Sequence, residues 1–365
     1  MDDLVITGAT VRTMDPKMPV AEAVALRGER VVAVGTEEEV RAAAGPRAEP
    51  LTFAGGLVLP GFQDAHVHPQ TGGLERLRCD LSPVDDRPGY LELIGTYAEA
   101  HPDEPWIVGG GWSMAAFPHG TPTARDLDDA VPDRPAYLEN RDGHGAWVNR
   151  RALEVAGIDA RTPDPADGRV ERDPGTGEPA GTLHEGAMKL VERHVPPTTD
   201  DDWERATLEG QGYLHSLGIT AWQDAWVRPE QLGPYLSLVE RGHLTARVVA
   251  ALWWERDRGL DQVDDLIERR DRAAASGLDA RTVKIMLDGV CENFTARMLD
   301  PYLDVAGGPT ENRGLRFVDP ETLRAAVTRL DAEGFQVHFH AIGDGAVRDG
   351  LDAVEAARAA NGPRD

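Results

Sequence analysis

Residues 57–69 read LVLPGFQDAHVHP and residues 336–344 read QVHFHAIGD. Each is an apolar run that ends in polar side chains. Each carries a His-x-His pair, His66 with His68 and His338 with His340. In an extended strand, residues i and i+2 point to the same side. Each pair therefore presents two imidazoles together at a strand end, and Asp64 shares the side of the first pair. Around them the chain alternates. Helical patterns over 201–217, 229–242, 261–276 and 320–333 each lead into an apolar strand, at Gly218–Asp224, Ala246–Leu252, Thr282–Leu287 and Gln336–His340. With Leu57–Asp64 that makes five strands, as expected of a parallel sheet covered on both faces. A last helix is predicted over GAVRDGLDAVEAARAA. Asp200 to Asp202 are predicted to cap the first of these helices, and Pro320 suits a first turn. The polar residues gather at C-terminal strand ends, where a (β/α)8 barrel keeps its active site. An open doubly wound sheet obeys the same strand-end rule. It is disfavoured because no glycine-rich phosphate loop follows the first strand; GGGW at 109–112 does not open a helix.

The flanking regions read differently. Residues 3–58 are short β-type runs, LVITGATVRTM, AVALRGERVVAVG and LTFAGGLVLP, with a hairpin at RGER where Gly28 is free to take positive φ. They predict part of a small antiparallel sheet. Residues 74–200 are rich in Pro, Gly and Asp. They read as an inserted subdomain, because structureless loops beyond ~15 residues are uncommon in compact domains. The expected organisation is an N-terminal β domain over 1–56, then a barrel over 57–365 with the insertion at about 74–200.

Of the 365 residues, 41% are hydrophobic and 28% charged, an ordinary globular balance. The net charge of −25 argues against nucleic acid, whose phosphates it would repel. Two cysteines, Cys79 and Cys291, are too few for a disulfide framework or a cysteine zinc site. No apolar run has signal-peptide length or the roughly 18 residues of a membrane span. A cytoplasmic enzyme with a small-molecule substrate and no membrane partner is the expectation.

Two His-x-His pairs at strand ends point to a divalent cation more than to packing. His340, nearest its strand end, is the better ligand of its pair; His338 is expected beside the ligands or turned to substrate. Lys284 lies inside the apolar strand TVKIMLDG. An ammonium buried without a partner is costly, and near a cation it loses its proton. A neutral amine can add carbon dioxide and become an anionic oxygen ligand. The alternative is a salt bridge from Lys284 to Asp288 or Glu292, and the two readings stand level. Asp344 reads as a helix cap. Trp112, His119, Glu139, Asp142 and Glu185 of the insertion are pocket candidates, each more often a surface or packing residue. Trp222 and Trp226 read as core, and Glu255 and Glu292 as substitute carboxylate ligands if Lys284 is not one.

Taken in order, PGFQDAHVHP, WIVGGGW, the DGHGAWVN run, GITAWQDA, VKIMLDG with ENFTARML, and HFHAIGDGAV resemble the YtcJ-like branch of the amidohydrolase superfamily. That branch is related to N-substituted formamide deformylases and more distantly to imidazolonepropionases. The resemblance runs the length of the chain. It implies an α/β fold, a metal-dependent (β/α)8 TIM-like barrel flanked by a β-sandwich built from both chain ends. It implies that His66, His68 and His340 bind metal, that Lys284 is the carboxylated bridging ligand, and that His144 lies near substrate; Trp112 and His338, from their own positions in the sequence, are the further expected substrate contacts. The implied cofactor is one or two divalent ions, zinc by expectation, which bring the pKa of a bound water towards ~7. The implied reaction is hydrolysis of a non-peptide C–N bond in an amide, formamide or cyclic amide, and a homodimer is the expected assembly of the intact protein. Such proteins also carry a His on the sixth strand and a general-base Asp on the eighth. Both fall beyond residue 365, so the expectation is a truncated chain with an open fifth-strand edge and no activity of its own. The rival reading is a degenerate barrel that binds metal or ligand without turnover.

Overall fold

The computed structural model describes residues 3–364. Its contacts divide the chain into two units. One holds the residues up to Gln63 with Gly218–Ala221; the other holds Asp64–Leu217 and the chain from Trp222 onward. The division falls later than residue 56.

The smaller unit contains the expected hairpin. Ala23–Arg27 and Arg30–Gly35 pair antiparallel, and Gly28 turns between them at φ 57. The strands form two sheets, however, one of four strands and one of three, and both are mixed and not antiparallel throughout. Leu4–Thr7 runs antiparallel to Ala23–Arg27 but parallel to Glu49–Thr52, and Thr10–Arg12 runs parallel to Leu57–Val58. A helix, Glu37–Ala44, provides the crossover that a parallel pair needs. It was not expected from a stretch that otherwise reads as β. Thr36 caps it, accepting from Glu39 N while the Glu39 carboxylate returns to Thr36 N at 3.1 Å. Val40 and Ala44 bury its inner face with Val5, Ala23 and Ala25.

The predicted strand Leu57–Asp64 proves to be two. Leu57–Val58 pairs in the small unit, and a second strand starts at Phe62, after Pro60 has interrupted the donors a strand needs. The parallel sheet consists of β1 (Phe62–Val67), β2 (Ile219–Val227), β3 (Arg247–Trp253), β4 (Asp279–Met286) and β5 (Gln336–His340), in the spatial order β5-β4-β3-β2-β1. Its helices are α1 (Pro69–Leu77), α2 (Asp200–Ser216), α3 (Pro229–Glu240), α4 (Val263–Ala275), α5 (Pro320–Ala332) and α6 (Asp344–Asn361). Pro320 does occupy the first turn of α5, behind an Asp319 cap. The cap of α2 is Thr199, not the aspartates: its hydroxyl accepts from Asp202 N, and the Asp202 carboxylate returns to Thr199 N at 3.0 Å. Asp344 is not a cap either. Gly343 holds that position without a side-chain bond, and Asp344 Oδ1 instead accepts from Leu299 N at 2.8 Å.

The sheet is strongly curled. Neighbouring strands lie ~4.8 Å apart, so the edges of a flat five-stranded sheet would stand roughly 19 Å apart. Yet the ring centroids of His66 on β1 and His338 on β5, the two edge strands, are 4.8 Å apart. Along β4 the pleat alternates. Val283 and Ile285 are fully buried, while Lys284 and Met286 border a cavity on the concave side.

The insertion is ordered. Six strands, in the order Gly168–Arg172, Pro179–Glu185, Gly145–Val148, Ala136–Asn140, Ile107–Trp112 and Cys79–Asp80, form a mixed sheet. Both faces are apolar, as the period of two predicts. Leu138 and Trp147 join Tyr90, Ile94, Ile107 and Leu127 in one cluster, whereas Tyr137, Ala146 and Val148 join Val170 and Leu183 in another. The glycines of WIVGGGW permit close approach: a Cβ on Gly109 would stand 2.1 Å from the Cys79 carbonyl oxygen.

Candidate active site

Strand ends bring the chemistry together. His66 near the end of β1, His68 just beyond it, Lys284 of β4 and His340 closing β5 border one cavity of about 230 Å³. Asp142 and His144 from the insertion, with Trp226, Trp253, Met286 and Val290, complete its wall. Trp226 and Trp253 stack with centroids 5.1 Å apart, and the His68 ring stands edge-on to Trp226 at 5.7 Å. Asp224 secures this wall. Fully buried on β2, it accepts from Trp226 N at 3.1 Å and from the Tyr235 hydroxyl at 2.8 Å. Burial raises its pKa to about 7 against those two bonds.

The imidazoles are poised as neutral bases. Burial, helped by the neighbouring Lys284 and by each other, brings His68, His338 and His340 down to about 4 and lowers His66 as well. Burial also brings Lys284 down to about 8. Among the described residues no carboxylate pairs with the Lys284 amine. Neither Asp288 nor Glu292 pairs with it. Asp288 accepts from the backbone N–H groups of Arg297 (2.8 Å), Ile342 (3.0 Å) and Gly343 (2.8 Å), which ties the loop after β4 to the start of α6. Glu292 is exposed.

His144 is held by a second set of contacts. Its Nδ1 donates to the Glu185 carboxylate at 3.1 Å, and the Thr295 hydroxyl donates to the same carboxylate at 2.9 Å. Asn293 Nδ2 donates to the His144 carbonyl at 3.0 Å. Burial works to lower the His144 pKa, but the bond and charge of Glu185, with Asp142 and Asp288 beyond, outweigh it and raise it. Glu185 adopts φ 53, a conformation costly outside glycine that concentrates at functional sites. The His144 and His340 rings lie 5.2 Å apart.

Several candidates belong elsewhere. Trp112 does not reach the cavity. It is fully buried in the insertion, its Nε1 donates to the Leu138 carbonyl at 2.8 Å, and its ring meets Phe117 and Trp147. At its position on the pleat the side chain faces an apolar cluster. His119 is exposed on a turn. Trp222 is core as expected, but Trp226 is a cavity wall. Asp224 and Trp253 were not singled out from sequence, although Asp224 closes the predicted strand Gly218–Asp224 and Trp253 directly follows the predicted strand Ala246–Leu252. Glu185 and His144 were named there separately, not as a pair.

The donor chemistry fits a divalent cation. His68 Nδ1 is buried without a hydrogen-bond partner, and an unpaired amine stands beside neutral imidazoles. Among the described residues, no three His, Cys, Asp or Glu side chains are gathered into a ligand shell by themselves. His340 Nε2 instead meets the Gly289 carbonyl at 3.1 Å.

A curled parallel sheet with histidines and a lysine near its C-terminal strand ends is the arrangement of an α/β barrel that keeps its active site there. The chain belongs to the amidohydrolase family, whose model matches residues 54–365. It is 30% identical over 376 residues to the protein LONG AFTER FAR-RED 3 of Arabidopsis thaliana, covering 100% of this chain and 63% of that one. It is also 30% identical over 377 residues to the N-substituted formamide deformylase of Arthrobacter pascens, covering 98% of this chain and 66% of that one. The chain thus spans about two thirds of the length of these curated relatives. Its fold is similar to the crystal structure of an uncharacterized metal-dependent hydrolase from Pyrococcus furiosus, with a TM-score of 0.68 at 24% identity, covering 98% of this chain and 70% of that one. Among the described residues no helix is long and apolar enough to cross a membrane.

Proposed function

We propose that the protein is a metal-dependent hydrolase acting on a non-peptide C–N bond, in an amide, formamide or cyclic amide of a small molecule. The observation that carries this reading is the meeting of His66, His68, His340 and an unpaired, buried Lys284 on one cavity. These four would hold a divalent ion, zinc by preference, and Lys284 would do so as its carbamate. Such an ion, when bound, acidifies water and polarises a carbonyl. His144 serves substrate. With Nδ1 committed to Glu185, its remaining ring nitrogen is left for a substrate carbonyl, and its raised proton affinity keeps a donor available there. The stacked Trp226 and Trp253 exclude water from one side and offer a flat apolar surface to the acyl or amine portion. The similarity to an N-substituted formamide deformylase supports the C–N reading.

The test pairs metal analysis with a substrate panel. The purified chain, with and without added zinc, is assayed on N-substituted formamides, primary amides, cyclic amides and carboxylic esters. Bound metal should be lost in the His66→Ala/His68→Ala double variant, and hydrolysis should be confined to C–N substrates. Metal content indifferent to those histidines, or turnover of esters alone, overturns the proposal. Metal bound through them with no turnover of any substrate supports binding without catalysis instead.

A further inference from the structure

A second cavity of about 370 Å³ shares Trp226 with the first and is bordered by the insertion and by α1, α2 and α3. That volume falls in the range of small-molecule pockets. Leu74, Val108 and Val195 give it apolar wall. Its polar groups are unusually short of partners. The Tyr137 hydroxyl and the Trp203 Nε1 are buried without any hydrogen bond, on side chains only 2% and 8% exposed. The Trp226 Nε1 is likewise buried and unpartnered. Unpaired buried groups of this kind are costly to the fold, and a ligand can relieve that cost.

The cavity is lined by Glu139, Glu192 and Glu230 as well as by Arg78 and Arg228. Glu139, at the end of its strand, lines it, and among the described residues no cation stands within ion-pair distance of its carboxylate. Arg228 is already engaged, lying over the Trp226 ring at 4.8 Å and 3.7 Å from Glu192. Arg78 donates to the Thr198 hydroxyl at 2.9 Å. Burial, then the nearby Glu192, raises Glu139 to about 7; burial, then Glu139 and Asp80, raises Glu75 to about 8. A carboxyl raised by burial against the charges of Arg228 and Arg78, and without an ion pair of its own among the described residues, stands in a cavity walled by Tyr137, Trp203 and Trp226; it matches an organic ammonium, which aromatic faces and carboxylates both attract. Indole N–H groups can only donate. The ligand must therefore also carry an oxygen acceptor.

We propose that this cavity binds a small primary amine bearing a neutral carbonyl or hydroxyl oxygen, with the ammonium on Glu139 and the oxygen on the indole N–H groups of Trp203 and Trp226. The site shares Trp226 with the histidine cavity but none of its histidines or Lys284, and it does not depend on the hydrolytic reading.

The experiment uses L-leucinamide as probe, titrated into the whole chain and followed by calorimetry and tryptophan fluorescence. Saturable binding is expected. Glu139→Gln, which keeps the shape and removes the charge, should weaken it at least tenfold. Trp203→Phe should weaken it several-fold, while His66→Ala should leave it unchanged. 4-Methylpentanamide, which lacks the amine, and isoamylamine, which lacks the oxygen, should both bind at least tenfold more weakly than leucinamide. Thermal unfolding of each variant confirms that it is folded. Absence of saturable binding to the folded wild type, equal binding by Glu139→Gln, or loss of binding in His66→Ala would each overturn the assignment.

Discussion

Two tryptophans near the ends of strands show how differently the two sheets of the larger unit are built. Trp112 ends its strand in the insertion, where apolar clusters cover both faces of the sheet, and it is sealed with its N–H bonded to a backbone carbonyl. Trp226 lies near the end of β2 in a sheet so curled that the edge-strand histidines meet. It faces open space with its N–H unpaired. The same side chain is a packing unit in one sheet and a wall of two cavities in the other. The lesson concerns the space in front of the side chain. A sheet sandwiched between layers leaves none, while a curled one encloses a volume that polar strand ends can use.

This contrast is most exposed to a pair of truncations. Trp112→Ala should cost ~3–5 kcal/mol, the usual penalty for removing a fully buried large aromatic. Trp226→Ala, which widens space already present, should cost under ~2 kcal/mol in chemical denaturation. Equal losses would mean that both sheets are packed alike. A smaller effect is expected at Lys284. Its pKa is depressed from 10.5 to about 8 in the folded state, so below pH 8 the chain must hold a charge there that folding disfavours. Between about 8 and 10.5 the unfolded chain binds the extra proton, and stability rises with pH. Lys284→Met should therefore stabilise the metal-free chain by ~1–3 kcal/mol at pH 7 while abolishing metal uptake. The gain should vanish as the pH approaches 10.5. A gain that does not change with pH would remove the buried ammonium from the account.

Glu185→Gln probes the histidine that the insertion contributes. The His144 pKa is raised in the fold, so its contribution to stability is present in full below its ordinary value of 6.5 and is lost as pH rises through the folded pKa. The variant should lower the His144 titration followed by NMR and remove about 1–2 kcal/mol of stability on the acid side. An unmoved titration would show that Glu185 does not hold the ring. The smallest difference is expected at a helix start far from either cavity. Thr199→Ala should cost ~1 kcal/mol as a lost N-cap, and Asp200→Ala within about 0.5 kcal/mol of nothing. The reverse order would restore the cap first expected at the aspartates.

The parallel strands and the helices between them were legible because long apolar periods leave few alternatives; Gln336–His340 has the bounds expected of it. Local polar signals were less reliable. Thr199 outcompetes three aspartates as a cap because its hydroxyl reaches Asp202 N, and the helix Glu37–Ala44 interrupts what reads as continuous β sequence. For the site, residue types and strand-end positions were enough to name His66, His68 and His340 and to single out Lys284 as a buried amine, while His144 was named only through the family resemblance. Sequence could not separate a paired Lys284 from a free one, because that depended on Asp288 being bound to three backbone N–H groups, one nine residues down the chain and two just before α6. Nor could it tell Trp112 from Trp226. Sequence alone determined which residues alternate and which can form ligands, since both follow from chemistry and period along the chain. Only the tertiary structure decided which faces enclose space and which carboxylates are already occupied, because curl and hydrogen-bond partners come from segments distant in sequence.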